Sequence, residues 1–304
     1  MKSFLFERYG YYPDNLDNNS FDYKGYIFNL TMTDLSEEEI KELDEVSKSL
    51  YNLYNEGCII IKNRSNNYLS FDGEKHYVLW TCKKGNKSIK DLINMHNYFH
   101  NNLTLEKIDL NELFNLWEEK FEFIETRVIS TLRSDDYDYN MILEGIYFAF
   151  GLAENALEYL KDVMIDLGSK INDQTLVHKR LNNLENNTFF DPFNLLIDSP
   201  LRDYAELYKS NEISLENIVR ILDYYNLDII ETSVLMARVL YPTRLFDALE
   251  KHYIDRMNIK KEILDYRISI DKELIRIKNL HLYLIKRYGI RPLNWLSDIL
   301  PPHS

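Results

Sequence analysis

Glycine is scarce where a nucleotide-binding protein would need it. The first 34 residues hold only Gly10 and Gly25. A loop that cradles phosphates through its backbone amides needs several glycines, because a side chain would block the approach, so no such loop is visible there. Cysteine is limited to Cys58 and Cys82. Two are too few for a disulfide framework and lack metal-ligand spacing, which fits a reducing interior, and among apolar neighbours both read as small strand hydrophobes. Positive charge is also short, with 36 Lys and Arg against 49 Asp and Glu, a formal net charge of -13. That balance excludes a sequence-independent hold on nucleic acid or on an anionic membrane surface, both of which need a dense basic footprint. Nowhere do about 18 apolar residues pass without a charge, so no membrane insertion is expected. The opening MKSFLFERYGYY has no apolar run of signal-peptide length, and a soluble cytoplasmic protein is expected.

What is present suffices for a core: 45% of the 304 residues are hydrophobic and 13% aromatic, at a length that suits one large or two moderate domains. Tyr26 to Thr31 reads as a strand. Ser36 with Glu39 three residues on forms a capping box, and Ile40, Leu43, Val46, Leu50 and Leu53 then recur at helical spacing until Gly57. Three strands are expected at Cys58 to Lys62, Asn66 to Phe71 and His76 to Cys82, the last two joined by a turn at Asp72-Gly73. Lys83 to Lys87, polar and holding Gly85, is the expected hinge, which divides the chain into a small α+β lobe, 1–84, and a helical lobe, 85–304.

Beyond the hinge the pattern is helical over Ser88 to His100, Leu110 to Leu132, Met141 to Leu167, Ser214 to Tyr225, Ile229 to Leu240 and Thr243 to Arg287. Pro242 breaks the chain and Gly289 stops the last helix. His100 closes its helix as a structural partner. Glu154 and Asn155, polar within an apolar helix, are expected to form a structural hydrogen-bond network. In the tail Arg291 to Leu296, Trp295 is the expected apolar anchor.

The best chemical candidates lie between Leu176 and Lys209. His178 and Arg180 stand in a loop, and an apolar strand, Phe193 to Ile197, runs into Asp198. In phosphoryl-transfer cores an H-x-D aspartate accepts the substrate hydroxyl's proton, and an aspartate at the end of the next strand holds magnesium. Here Arg180 occupies the first aspartate's place. Its guanidinium stays protonated and cannot act as a base. The metal-binding asparagine of the pattern would fall at Glu185, with Asn182 and Asn183 nearby. No lysine occurs in Tyr26 to Thr31 to pair with ATP, so Glu42 or Glu45, the candidate partners of such a lysine, read as a solvated face. For Asp198 two readings stand open: a divalent-cation ligand, or a helix-entry cap with Ser199 ahead of Pro200. His178 is expected to pack and to hydrogen-bond the loop.

Six blocks carry a resemblance: Trp117 to Glu119, Gly151 to Ala156, Val177 to Arg180, Ile197 to Glu206, Ala237 to Pro242 and Pro292 to Leu296. In that order, and over nearly the whole chain from Phe4 to Leu296, they resemble the YutH-like endospore coat-associated proteins of the CotS group, in the aminoglycoside phosphotransferase-like branch of the kinase fold. Asp198-Ser199 departs from the DH that the family usually shows. The resemblance implies an α+β, two-lobe kinase-like fold with a small sheet-containing lobe and a mostly helical one. It also implies that Arg202 and Asp203 match an RD pair that ties the helix to the catalytic-loop region. The degenerate loop then implies a pseudokinase with a binding or structural role in the spore coat or sporulation, coat or other proteins as partners, an unknown small-molecule ligand, and no cofactor. The alternative is an active small-molecule phosphotransferase of the aminoglycoside phosphotransferase type, using Mg2+ and ATP.

Overall fold

The computed structural model describes residues 1–102, 108–131, 139–171, 174–225, 227–255 and 258–298. The chain divides into two compact units, 1–105 with 175–203 and 106–174 with 204–304.

The first unit opens with a short helix, α1 (Lys2–Tyr9), and two strands, β1 (Ser20–Tyr23) and β2 (Tyr26–Thr33). Helix α2 (Glu37–Tyr54) follows, then β3 (Cys58–Ile61), β4 (Ser70–Phe71), β5 (His76–Lys83) and α3 (Ile89–Asn102). The strands form one antiparallel sheet in the order β1-β2-β5-β3, with β4 also on β5. The alternation of β2 places Phe28 and Leu30 on a face with Phe21, Tyr77, Leu79 and Leu5 of α1, and the Phe21 and Phe28 rings stack at 4.9 Å. The expected capping box starts α2: Ser36 Oγ accepts the Glu39 N–H at 3.3 Å and the Glu39 carboxylate accepts the Ser36 N–H at 2.7 Å. Cys58 and Cys82 are buried partners across β3 and β5. Burial raises both thiols, Cys82 to about 12, which suits small core side chains.

The second unit holds β6 (Ile108–Asp109), α4 (Leu110–Phe123), α5 (Tyr139–Leu167) and β7 (Lys170–Ile171), with β6 and β7 paired antiparallel. The chain then returns to the first unit with β8 (Thr175–His178), the short turn α6 (Asn186–Phe189) and β9 (Leu195–Asp198). The boundary between units falls within α7 (Leu201–Lys209), after which come α8 (Leu215–Tyr225), α9 (Ile229–Leu240), α10 (Thr243–Asp255), α11 (Lys260–Tyr288) and α12 (Asn294–Ser297). Helix α5 buries its small and apolar residues, from Ile142 to Val163. Two of the family-like blocks meet here: Trp117 stacks on Tyr241 at 4.3 Å, and the Tyr241 hydroxyl donates to the Trp117 carbonyl at 2.8 Å. Among the described residues no helix is long and apolar enough to cross a membrane.

Several expectations are corrected. The strand expected from Asn66 begins only at Ser70, because the Asn63 side chain folds 63–67 into a turn, accepting the Ser65 and Asn67 N–H groups, with Asn66 left-handed at φ 65. The helix from Leu110 ends as α-helix at Phe123 and loosens into a π turn, Ile124–Val128, and a 3-10 turn, Ile129–Thr131; Leu132 lies outside the described residues. The single helix from Thr243 to Arg287 is two. Asn258 starts the second by accepting the Lys260 N–H at 3.0 Å, while 256–257 lie outside the described residues. Glu154 is exposed and Asn155 donates back to the Gly151 carbonyl of its own helix, at 2.6 Å. The tail is anchored by Leu296, fully buried, rather than by Trp295, which is 36% exposed.

His281 of α11 holds that tail. Its Nε2 accepts the Leu293 N–H at 2.9 Å, so the proton sits on Nδ1, which is buried without a partner among the described residues. Burial lowers its pKa. A neutral histidine contributes fully above its unfolded pKa of about 6.5, and the contribution is lost as pH falls below that value. The melting temperature is therefore expected to drop on acidification below about pH 6.5, by less in His281→Gln than in the native chain; equal drops would count against this role.

Candidate functional site

Strands β8 and β9 pair antiparallel, Thr175 opposite Asp198 and His178 opposite Leu195, and between them runs the loop that carries the sequence-derived candidates. Both ends of the loop are tied by Asn194. Its side chain accepts the Arg180 N–H at 3.0 Å and donates to the Arg180 carbonyl at 2.8 Å, and its own carbonyl accepts the Lys179 N–H at 2.6 Å. Arg180 is thereby fixed by its backbone, and its guanidinium donates to the Lys179 carbonyl at 2.6 Å. Asn183 accepts the Glu185 N–H at 3.0 Å, the signature of a local turn, while Asn182 and Glu185 are exposed.

His178 is fully buried between two acceptors. Nδ1 lies 2.9 Å from an Asp203 oxygen and Nε2 lies 2.9 Å from the Phe189 carbonyl. Both ring nitrogens satisfy these acceptors only as donors, so the ring is an imidazolium. Burial opposes that charge, but the Asp203 charge and hydrogen bond outweigh it and raise the pKa. Asp203 is equally enclosed: one oxygen accepts the His178 N–H at 2.9 Å, and the other, besides His178 Nδ1, meets His96 Nε2 of α3 at 3.0 Å. Burial alone would raise this carboxyl; the His178 charge and the bonds from both histidines hold it well below the usual range. A cluster with both His178 nitrogens committed inside the protein cannot relay a proton to an outside substrate. Within the first unit it ties α3 and the loop to the start of α7 at Asp203.

Asp198 closes β9. One oxygen accepts the Ser199 N–H at 2.7 Å and the other pairs with Arg202 at 2.9 Å. The helix-entry bond comes instead from Ser199, whose Oγ accepts the Leu201 N–H at 3.3 Å. Arg202 also donates to the Lys179 carbonyl at 3.1 Å, so Arg202 and Asp203 each tie α7 to the loop through separate partners. No group of three or more Asp, Glu, His or Cys side chains among the described residues is placed to hold a metal ion. Glu42 and Glu45 are exposed; the buried acid of α2 is Asp44, which accepts from the Tyr68 hydroxyl at 2.8 Å and pairs with Lys48.

Sequence reasoning singled out His100, which is exposed, and passed over His96 four residues earlier. A signal was there: Leu92, Met95, His96 and Phe99 share one buried helical stripe. It also passed over Asp191, whose carboxyl burial pushes up to about 6 and which accepts the Phe193 N–H at 3.0 Å.

Against known proteins, residues 2–274 match the family described as "Spore coat putative kinase YutH". The chain is 25% identical over 177 residues to the endospore coat-associated protein YutH of Bacillus subtilis (strain 168); it spans about half the length of that relative, 51% of each chain being aligned. Its structure is similar to that of an aminoglycoside phosphotransferase from Alicyclobacillus acidocaldarius, with a TM-score of 0.55 and 12% identity over 90% of this chain and 92% of the other. That likeness establishes a kinase-like fold of the aminoglycoside phosphotransferase type, with a small antiparallel sheet-bearing part and a mostly helical remainder. With the family match running across both units, this chain belongs to the spore coat YutH family of kinase-like proteins.

Proposed function

We propose that this chain uses its kinase-like fold for binding and not for phosphoryl transfer, in or near a spore coat. The observation that carries the reading is Arg180, held by Asn194 in the loop where a transferase would present its aspartate base. General-base assistance is worth roughly 100- to 10,000-fold in rate, and a guanidinium cannot supply it. Strand β2 offers no lysine in Tyr26–Thr33, and the chain ahead of it lacks a glycine loop, so phosphate positioning loses two further parts of the mechanism. Asp198, the remaining candidate ligand for magnesium, is engaged with Arg202. Coat proteins as partners and a spore-associated location belong to this reading, on the printed name of the relative as endospore coat-associated.

The test is phosphate release and transfer from MgATP by the full chain. No turnover above background is expected. Magnesium-dependent turnover of roughly 1 per second or faster, in the usual enzyme range, and abolished in Asp198→Ala, would overturn the reading in favour of a small-molecule phosphotransferase.

A further inference from the structure

Residues 83–87 leave the end of β5 with a row of backbone groups that would suit a planar ligand, and the chain fills that row itself. The Gly85 carbonyl accepts the Asn186 N–H at 2.8 Å and the Lys87 N–H donates to the Leu184 carbonyl at 2.7 Å, making a short antiparallel ladder around Asn86 and Glu185. The Asn186 side chain adds a bond from Nδ2 to the Lys83 carbonyl at 3.0 Å. Its neighbour Asn187 turns to the sheet, accepting from Asn29 Nδ2 at 2.6 Å and lying 4.0 Å from the Cys82 sulfur. The approach is tight: a Cβ on Gly85 would stand 3.1 Å from Asn186 Nδ2. Phe189 and Phe190 anchor the segment against the Tyr54 ring, each at 5.9 Å, and Lys87 lies over the Tyr54 and Phe190 rings while pairing with Glu56.

We infer that residues 184–187 are an internal ligand, a latch on the edge of 83–87 that an adenine base would have to displace. The occupant presents two donors and an acceptor to that edge. Adenine could replace part of that pattern in one plane, with an amino donor beside a ring-nitrogen acceptor. The latch is also imperfectly satisfied, since among the described residues Asn186 Oδ1 is buried with no partner, and an unmade buried hydrogen bond favours release. This inference rests on the reading that the chain does not turn over nucleotide, and it supplies a reason why the base would be excluded as well.

The probes are ATP, ADP and adenosine, with and without magnesium, titrated calorimetrically into the native full chain, Asn186→Ala and Gly85→Ala. Both substitutions weaken the ladder from opposite sides. The expected result is no measurable binding to the native chain and binding in a variant at least about tenfold tighter than the detection limit, without phosphate release. Amide hydrogen exchange of the native chain gives a second readout that needs no variant: Asn186 and Lys87 N–H groups are expected to be protected together. Folded variants that bind no better than the native chain, or rapid exchange at Lys87, would overturn the latch while leaving the non-catalytic reading intact. Turnover by the native chain would instead overturn that reading, whatever the variants bind.

Discussion

Asp203→Ala is expected to cost about 3–5 kcal/mol of folding stability, the range for removing one partner of a buried ion pair. The alanine leaves the His178 imidazolium without its counter-charge and deprives the His178 N–H and His96 of their shared acceptor. Asp203→Asn keeps the shape and one acceptor oxygen, so its loss should be smaller, about 1.5–3 kcal/mol for hydrogen bonds to a charged group. The same site sets two pH slopes. Because the Asp203 carboxyl is held low by His178 and His96, its contribution is present above the unfolded value of about 3.9 and is lost as pH falls through the lower folded value. Because the His178 pKa is raised by Asp203, its contribution is full below about 6.5 and is lost as pH rises through the folded value. The pair should therefore stabilise most between about pH 4 and 6.5. Denaturant melts of the native chain and both variants across this range check it; an Asp203→Asn chain that keeps the native acid slope would show that the carboxyl is not its source.

Tyr241→Ala should cost a similar amount, about 3–5 kcal/mol, as for other large aromatic truncations in a packed core. Tyr241 is fully buried, stacks on Trp117 and meets Phe246 edge-on at 5.4 Å. Tyr241→Phe keeps the ring and removes the hydroxyl with its bond to the Trp117 carbonyl, and should cost about 0.5–1.5 kcal/mol. The contrast separates packing from hydrogen bonding. Equal losses in the two variants, measured by chemical denaturation, would mean that the stack contributes little.

The parts that were legible in the sequence are those whose causes are local. The Ser36–Glu39 box needs only residues three apart, β2 and β5 announce themselves by β-branched and aromatic residues, and the Asp72-Gly73 turn lies between two strands as its dipeptide implies. Asn63 shows where local reasoning stopped: the apolar alternation did not reveal that one side chain would fold its neighbours into a turn. Trp295 shows a second limit, since size and hydrophobicity do not decide which of two adjacent residues faces inward, and Leu296 does.

The missed parts of the site depend on partners far apart in the chain. His96 and Asp203 are 107 positions apart and Asn186 and Lys83 are 103 apart, so no periodicity links them. The sequence alone determined that Arg180 cannot be a base, that β2 brings no lysine, and that helices make up most of the chain after residue 87, because these follow from residue identity and short-range spacing. Only the tertiary structure decided that His178 is a buried cation shared with Asp203, that Asp198 turns to Arg202, and that residues 184–187 fill the edge of 83–87. A buried charge or an open backbone edge must be satisfied by whatever the fold brings within hydrogen-bond reach, and that choice is made by packing.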